Sequence, residues 1–315
     1  MVNGFQRIKR KLLRNRLVLL RQFNFVSAEV YVKYLYHYYT GKTLDLSDPK
    51  EFNEKIQWYK VRYHPKILNQ LVDKYDVRSF VADRIGEQYL NDMYGVYNTP
   101  EDIPFDELPN KYVIKTTNAS SYNLIVSNNE TLNKTKTRQK LKKWLKKASR
   151  YYLRSREWPY KDVAPRLIIE KFLKDKDQQS LVDYKFYCFN GEAKFVEIHI
   201  DRAKNHRRSF YDFNLNKLEF RYVPEEQSIT KPIKKPDNFL EMKNLSEKLS
   251  QNFPFVRVDF YSINGKSIFG EMTFFPSGGR KDFIPEKYNR IIGNYFKLPQ
   301  PPNGKQIITE IDKGL

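Results

Sequence analysis

Residues 256–279 read VRVDFYSINGKSIFGEMTFFPSGG, and this stretch decides the fold. Val256 to Tyr261 and Ser267 to Thr273 are rich in β-branched and aromatic residues. Asn264-Gly265 between them suits the two positive-φ positions of a tight hairpin turn. On such a hairpin, acidic side chains of neighbouring strands meet, so Asp259 and Glu271 are expected to converge on one ion. Magnesium fits: it is a hard cation that takes one or two carboxylates and completes its shell with phosphate oxygens and water. The flanking Val-Asp-Phe and Phe-Gly-Glu-Met are apolar enough to imply burial. Two buried unpaired carboxylates would be costly, and a metal would remove that cost.

Working outward, Tyr112 to Lys115 reads as a strand entered from the Leu108-Pro109-Asn110 turn, with Asn123 to Val126 as its hairpin partner. Lys115 then sits where a strand meets a loop. Further strands are expected over Arg166 to Phe172, Asp183 to Phe189 and Glu192 to Ile200. From Asp48 to about Tyr97 the pattern is helical, through Phe52, Ile56 and Tyr59 and then Leu68, Val72 and Val81. The expected organisation is a basic amphipathic segment (1–47), a helical region (48–110), a main domain (111–300, its first lobe about 111–170 and its metal-binding lobe 171–300) and a tail (301–315).

The 315 residues, 40% of them apolar with 23 Tyr, 22 Phe and 3 Trp, suffice for one globular functional unit. The single cysteine, Cys188, excludes an intramolecular disulfide and CxxC metal sites, and it lies in an apolar block as a small core residue. A reducing, cytoplasmic setting is expected. The formal charge of +20 is concentrated. Residues 1–28 carry seven cations and residues 131–156 eleven, with no acid in either, leaving 39 basic against 37 acidic residues elsewhere. A near-neutral body with two basic attachments is not a nucleic-acid binder. Phe5, Ile8, Leu12 and Leu19 or Leu20 recur at helical spacing among the first cations, as in a helix lying on an anionic membrane; the alternative is a basic helix packed on its own domain. The second basic run continues into a helix with Leu141, Trp144, Leu145, Ala148 and Tyr152 on one face. Its cations are either merely solvated or hold a polyanionic saccharide or lipid phosphate.

Taken in order, FNEKIQW (52–58), DKYDVRSFV (73–81), LPNKYVIKTTNASS (108–121), DYKFYCFNG (183–191) and the 256–279 block resemble the TupA-like branch of the ATP-grasp family over roughly residues 48–298. The resemblance implies an α+β ATP-grasp fold, two subdomains clasping ATP, preceded by a helical region. It implies that Lys74 and Lys115 reach ATP phosphates, that the loop with Ser120 and Ser121 closes over them, and that Glu170, Lys171, Phe172 and Leu173 form the adenine hinge. Asp183 would lie near the ribose. Lys185, Arg202 and Arg257 would act at the transferred phosphate or the carboxylate substrate, and Asp259, Glu271 and Thr273 would be the metal ligands. Thr273 stands where the family commonly has asparagine, and the loop 116–121, TTNASS, lacks the usual glycines. The implied activity is a Mg-ATP-dependent carboxylate–amine ligase of surface or capsular polysaccharide biosynthesis, joining a carboxylate-bearing saccharide to an amine such as an amino acid.

The alternatives are a nucleotide-sugar glycosyltransferase and a non-catalytic glycan- or membrane-binding relative. The first needs an Asp-x-Asp metal motif, whose nearest match, Asp175-Lys176-Asp177, reads as a solvent-exposed loop. His37, His64, His199 and His206 are scattered without metal-ligand spacing, and no Walker A, Rossmann or G-x-S-x-G pattern occurs.

Overall fold

The computed structural model describes residues 4–21, 26–176, 181–201 and 205–311. In chain order the elements are α1 (Gly4–Leu20), α2 (Ala28–Thr40), α3 (Phe52–Arg62), α4 (Ile67–Val72), α5 (Val77–Ile85), β1 (Met93–Tyr97), β2 (Tyr112–Thr116), β3 (Asn123–Val126), α6 (Lys134–Ala148), α7 (Tyr151–Ser155), β4 (Leu167–Lys171), β5 (Asp183–Phe189), β6 (Glu192–Ile200), β7 (Arg207–Tyr211), α8 (Phe239–Ser250), β8 (Phe255–Ile263), β9 (Lys266–Thr273) and α9 (Lys287–Tyr295). The strands form two sheets, ordered β1-β4-β2-β3 and β7-β6-β5-β8-β9, with every pairing antiparallel. The stretch expected to be helical up to residue 110 therefore contains one strand, β1, which pairs with β4.

The smaller sheet packs against α6 through Ile114, Leu141, Leu167 and Ile169. The larger sheet has one apolar face, covered by α8, where Phe239 meets Tyr184 and Phe186 with ring centroids 5.9 and 5.7 Å apart. Its other face carries the alternate residues Asp183, Lys185, Glu197, His199, Arg257, Asp259 and Glu271, neighbours in the strand register. In the β8–β9 hairpin the register slips beyond the Asp259–Glu271 pair, leaving Gly270 as the extra residue of a bulge. A Cβ on Gly270 would come within 3.1 Å of the Asp259 carbonyl oxygen, so glycine lets the strands close there. Asn264 and Gly265 take φ of 50° and 76°, the turn expected of that dipeptide.

Asp175 is buried, and its carboxylate accepts the Asn264 backbone N–H at 2.8 Å, while Lys176 N donates to the Asn264 side chain at 3.0 Å. The exposed loop expected at Asp175 is thus a support for the hairpin turn. Asp177 lies outside the described residues. Cys188 is buried as expected, and burial pushes its thiol up to about 12.

α3 is started by a capping box between Glu51 and Glu54 and carries an unusual buried stripe: Asn53, Gln57 and Lys60, at helical i, i+4, i+7 spacing. All three bind backbone of the segment after β9. Asn53 donates to the Lys281 carbonyl at 2.9 Å, Gln57 to the carbonyls of Gly278 (2.9 Å) and Gly279 (2.6 Å), and Lys60 to that of Gly278 at 2.7 Å. The clamped segment is a left-handed turn, with φ of 51°, 61° and 58° at Ser277, Gly278 and Gly279. An added Cβ at Gly279 would lie 2.6 Å from Ile56 Cγ2 and 2.7 Å from Gln57 Nε2. Gly279→Ala therefore combines backbone strain with overpacking, each worth about 1–3 kcal/mol. The expected result is a clearly lower urea midpoint with unchanged steepness, followed by tryptophan fluorescence.

Candidate active site

Five of the expected site residues line one cavity of about 210 Å³: Lys74 and Ser120 on one side, and Arg257, Glu271 and Thr273 on the other. The first group is held by the junction of α4, α5 and the loop after β2. Asp73 is fully buried and accepts the N–H groups of Tyr75 and Asp76 at 2.9 and 3.0 Å as well as Arg166 Nη2 at 3.0 Å. Arg166 also reaches Asp76 at 2.6 Å, and its N–H and carbonyl are bound to Thr117. This fixes Lys74, whose ammonium donates to the Ala119 carbonyl at 2.9 Å. Burial lowers the Lys74 pKa from its ordinary value, opposed by Glu271.

The loop without glycine nevertheless makes glycine-like turns. Ala119 and Ser121 stand at φ of 65° and 70°, a conformation that costs an L-residue roughly 1–2 kcal/mol. The bond from Lys74 to the Ala119 carbonyl and the one from Thr116 Oγ1 to the Asn118 carbonyl (2.7 Å) hold it there.

On the opposite side the sheet presents a charge network. Arg257 donates through Nε to Asp259 Oδ1 at 2.7 Å. Its Nη2 donates to Asp259 Oδ2 (2.8 Å), Glu271 Oε1 (2.8 Å) and Thr273 Oγ1 (3.0 Å). Lys185 donates to Asp259 from the neighbouring strand and lies 3.8 Å from Asp183. Asp259 and Glu271 do converge, but the charge that makes the Asp259 burial tolerable comes from Arg257 and Lys185 within the chain. Glu271 is the open member, its side chain 41% exposed against 3% for Asp259. Burial would raise the Glu271 pKa, yet Arg257, Lys185 and Lys74 outweigh it and hold it at about 2.

The other expected residues among those described do not line this cavity. Lys115 donates to Glu170 at 2.6 Å across the β2–β4 pair, and Arg78 approaches the other Glu170 oxygen at 3.8 Å. Lys171 is exposed and paired with Asp92 at 2.7 Å, with Phe172 and Leu173 half-buried after it. Ser121 is exposed beside Ser120, and Asp183 is buried at the start of β5. Arg202 lies outside the described residues.

Two groups were not anticipated. The histidines are not all scattered: the β6–β7 connection brings His206 Nε2 to 3.1 Å from His199 Nδ1, and His199 lies 3.2 Å from Glu197. Burial lowers the His199 pKa to about 4 against the pull of Glu197. The cavity is also lined by Tyr151, Glu157, Tyr160 and Arg280, from α7, the segment after it and the turn after β9. Isolated polar residues in aromatic surroundings, SREWPY at 155–160, were the available signal. Among the described residues no group of three or more His, Cys, Asp or Glu side chains is placed to hold a metal by itself.

No curated protein matches the chain. Solved structures similar to it include D-alanine–D-alanine ligase from Bacillus anthracis (16% identity, 77% of this chain and 73% of that one, TM-score 0.41). The corresponding enzyme from Helicobacter pylori is 15% identical over 73% of this chain, which spans 61% of that one, with a TM-score of 0.40. D-cycloserine synthetase DcsG is 11% identical, with 73% and 72% covered and a TM-score of 0.40. The family model for TupA-like ATP-grasp proteins matches residues 54–297, from α3 through both sheets to α9. With that match spanning well over half of its length, the chain belongs to the TupA-like ATP-grasp family.

Proposed function

We propose that this protein is a Mg-ATP-dependent carboxylate–amine ligase. The observation that carries the reading is a cavity in which Lys74, Ala119 and Ser120 face Arg257, Glu271 and Thr273. An ammonium on one side and a carboxylate gripped by a guanidinium on the other suit a triphosphate and its divalent ion. Glu271, open to the cavity, and the Thr273 hydroxyl are hard oxygen donors that fit magnesium, with phosphate oxygens needed to complete the shell; Asp259, gripped by Arg257 and Lys185, would join them only on release from those cations. Bound there, the ion would neutralise phosphate charge.

The chain's own residues then divide the work. Lys74, Lys115 and Lys185 neutralise phosphate oxygens, Ser120 and Ser121 close the loop, and the 170–173 segment receives the base, with Asp183 near the ribose. A substrate carboxylate oxygen attacks the γ-phosphorus, the β–γ bridge bond breaks, and ADP departs. Arg257 stabilises the charge that develops on the acyl oxygen as an amine displaces phosphate. A uronic acid of a surface or capsular glycan is our choice of carboxylate, supported by the family resemblance and by the basic face of α6, whose cations suit a polyanion.

The test is incubation with Mg-ATP, a panel of uronic acids and glycans, and amino acids. Carboxylate-dependent ADP and an amide of matching mass are expected. UDP release from a sugar nucleotide without ATP would overturn the reading in favour of a glycosyltransferase. The engagement of Asp175 with the hairpin turn speaks against that alternative. Thermal stabilisation by Mg-ATP without turnover would mark a non-catalytic binder.

We further propose that α1 docks the protein on an anionic membrane surface. Leu17 packs against Tyr31 and Leu35 of α2, leaving Leu12 and Leu19 64% and 53% exposed among the cations. The side chains of Phe5 and Ile8 lie outside the described residues. No helix of the described residues is long and apolar enough to cross a membrane. Lys and Arg near such a surface contribute about 1 kcal/mol each. Deleting residues 1–23 should lower co-sedimentation with phosphatidylglycerol vesicles at least about tenfold; unchanged binding would refute the assignment.

A further inference from the structure

The two basic segments, far apart in the sequence, meet in the fold, and Tyr31 of α2 is the joint. Its hydroxyl accepts from Arg21 Nε, just past α1, at 2.8 Å and donates to the Arg154 carbonyl of α7 at 3.3 Å. Arg154 Nη2 in turn donates to the Lys147 carbonyl near the end of α6 at 2.6 Å. The Arg156 guanidinium lies 4.8 Å over the Tyr31 ring and 5.5 Å over that of Tyr152. Arg156 is buried, and its Nε and Nη2 have no hydrogen-bond partner among the described residues, so its charge adds to the positive field of the joint. On the elements that meet there, Lys11, Arg14 and Arg16 of α1 are exposed, as are Lys146, Lys147 and Arg150 at and just after the end of α6.

The same helix pair borders the catalytic cavity. From Tyr31, α2 continues to Tyr39, about 12 Å along its axis, where the Arg280 guanidinium lies 4.5 Å over the Tyr39 ring. Tyr151 of α7 and Arg280 both line the cavity. α1 packs on α2 through Leu17, Tyr31 and Leu35. α2 thus touches both α1 and two segments that line the cavity. The charge of α1 and of the end of α6 calls for an anionic partner, and Leu12, Val18 and Leu19, exposed among the cations, call for an apolar one. A bilayer with anionic headgroups supplies both in one surface, whereas a dissolved polyanion supplies only the first.

We infer that α1 and the end of α6 form one docking face for an anionic phospholipid bilayer, and that the saccharide substrate is anchored by a lipid in that bilayer. The inference rests on the ligase reading for the reaction and on the docking of α1 for half of the face. With the protein seated this way, the cavity is held beside the headgroups. A saccharide tethered there is met at a high effective concentration, and a dissolved one gains nothing. The tethered carboxylate enters the reaction already described, and its lipid anchor is unchanged by it.

The test uses the full chain and two sets of substitutions at exposed positions: Lys11→Gln, Leu12→Ser and Arg14→Gln in α1, and Lys146→Gln, Lys147→Gln and Arg150→Gln at the end of α6. Either set should weaken co-sedimentation with phosphatidylglycerol vesicles about 10- to 100-fold, and an unchanged urea midpoint checks folding. Each uronic acid of the panel is then offered with Mg-ATP and amino acids, as its methyl glycoside in solution and as its hexadecyl glycoside in phosphatidylglycerol vesicles. Wild type should release ADP at least about tenfold faster with the anchored form. The α1 set should lose that preference and keep the wild-type rate on the methyl glycoside. Vesicle binding that ignores the α6 set, or equal rates on the two glycosides, overturns the inference. Binding that ignores the α1 set overturns the docking of α1 as well. ADP from neither form of any uronic acid, with vesicle binding weakened in both sets, refutes the ligase reading and the anchored substrate with it, and leaves the docking face standing.

Discussion

Arg257→Leu is expected to cost the fold about 3–5 kcal/mol, because it removes one partner of a buried ion network and leaves the others behind. Arg257 is the hub: its side chain is 12% exposed, and it donates to Asp259, Glu271 and Thr273 at once. Lys185 remains on Asp259 and Glu271 can turn towards water, so the loss should fall near the lower end of that range. Asp259→Asn added to Arg257→Leu should restore part of the stability, since it deletes the stranded charge. Urea unfolding of the two single variants and the double variant measures the coupling. Strict additivity would show that Arg257 and Asp259 do not act as a unit.

Glu271→Gln is expected to behave in the opposite way, folding normally and losing activity. An amide oxygen can still accept from Arg257 and Thr273, and the side chain is open to the cavity, so the fold should survive with a modestly lower urea midpoint, since the charge that Arg257, Lys185 and Lys74 favour is gone. What is lost is the negative charge proposed to hold the divalent ion over the phosphates. Loss of one such electrostatic contribution is commonly worth about 10²–10³ in turnover. Carboxylate-dependent ADP release at saturating ATP reads this directly. A Glu271→Gln enzyme with wild-type turnover would remove Glu271 from the proposed machinery.

The hairpin was legible because its turn and its strands agree: Asn264-Gly265 tolerates positive φ, and the flanking residues favour extended backbone. Asp259 and Glu271 were found by the same route, through strand pairing. Arg257 was identified as a candidate, but its structural task was not, because strand alternation alone does not show that a side chain two residues from Asp259 folds back to grip it. The role of the helix at 52–62 was hidden for a related reason. Asn53, Gln57 and Lys60 form a helical stripe in the sequence, but their partners are backbone carbonyls more than 200 positions away. β1 was missed because five residues containing Gly95 give little strand signal, and its pairing with β4 is a long-range decision. His199 and His206, seven residues apart, meet only because β6 and β7 run antiparallel. Glu157 and Arg280 come from separate segments, so their meeting in one cavity lining has no linear motif.

In the proposed reaction a substrate carboxylate attacks the γ-phosphorus, and an amine then displaces phosphate from the acyl carbon. The decisive measurement uses the carboxylate that elicits ADP release, labelled with ¹⁸O in both carboxyl oxygens. Each turnover should deliver one labelled oxygen to inorganic phosphate and leave the other in the amide carbonyl. Phosphate free of label while product forms would contradict it.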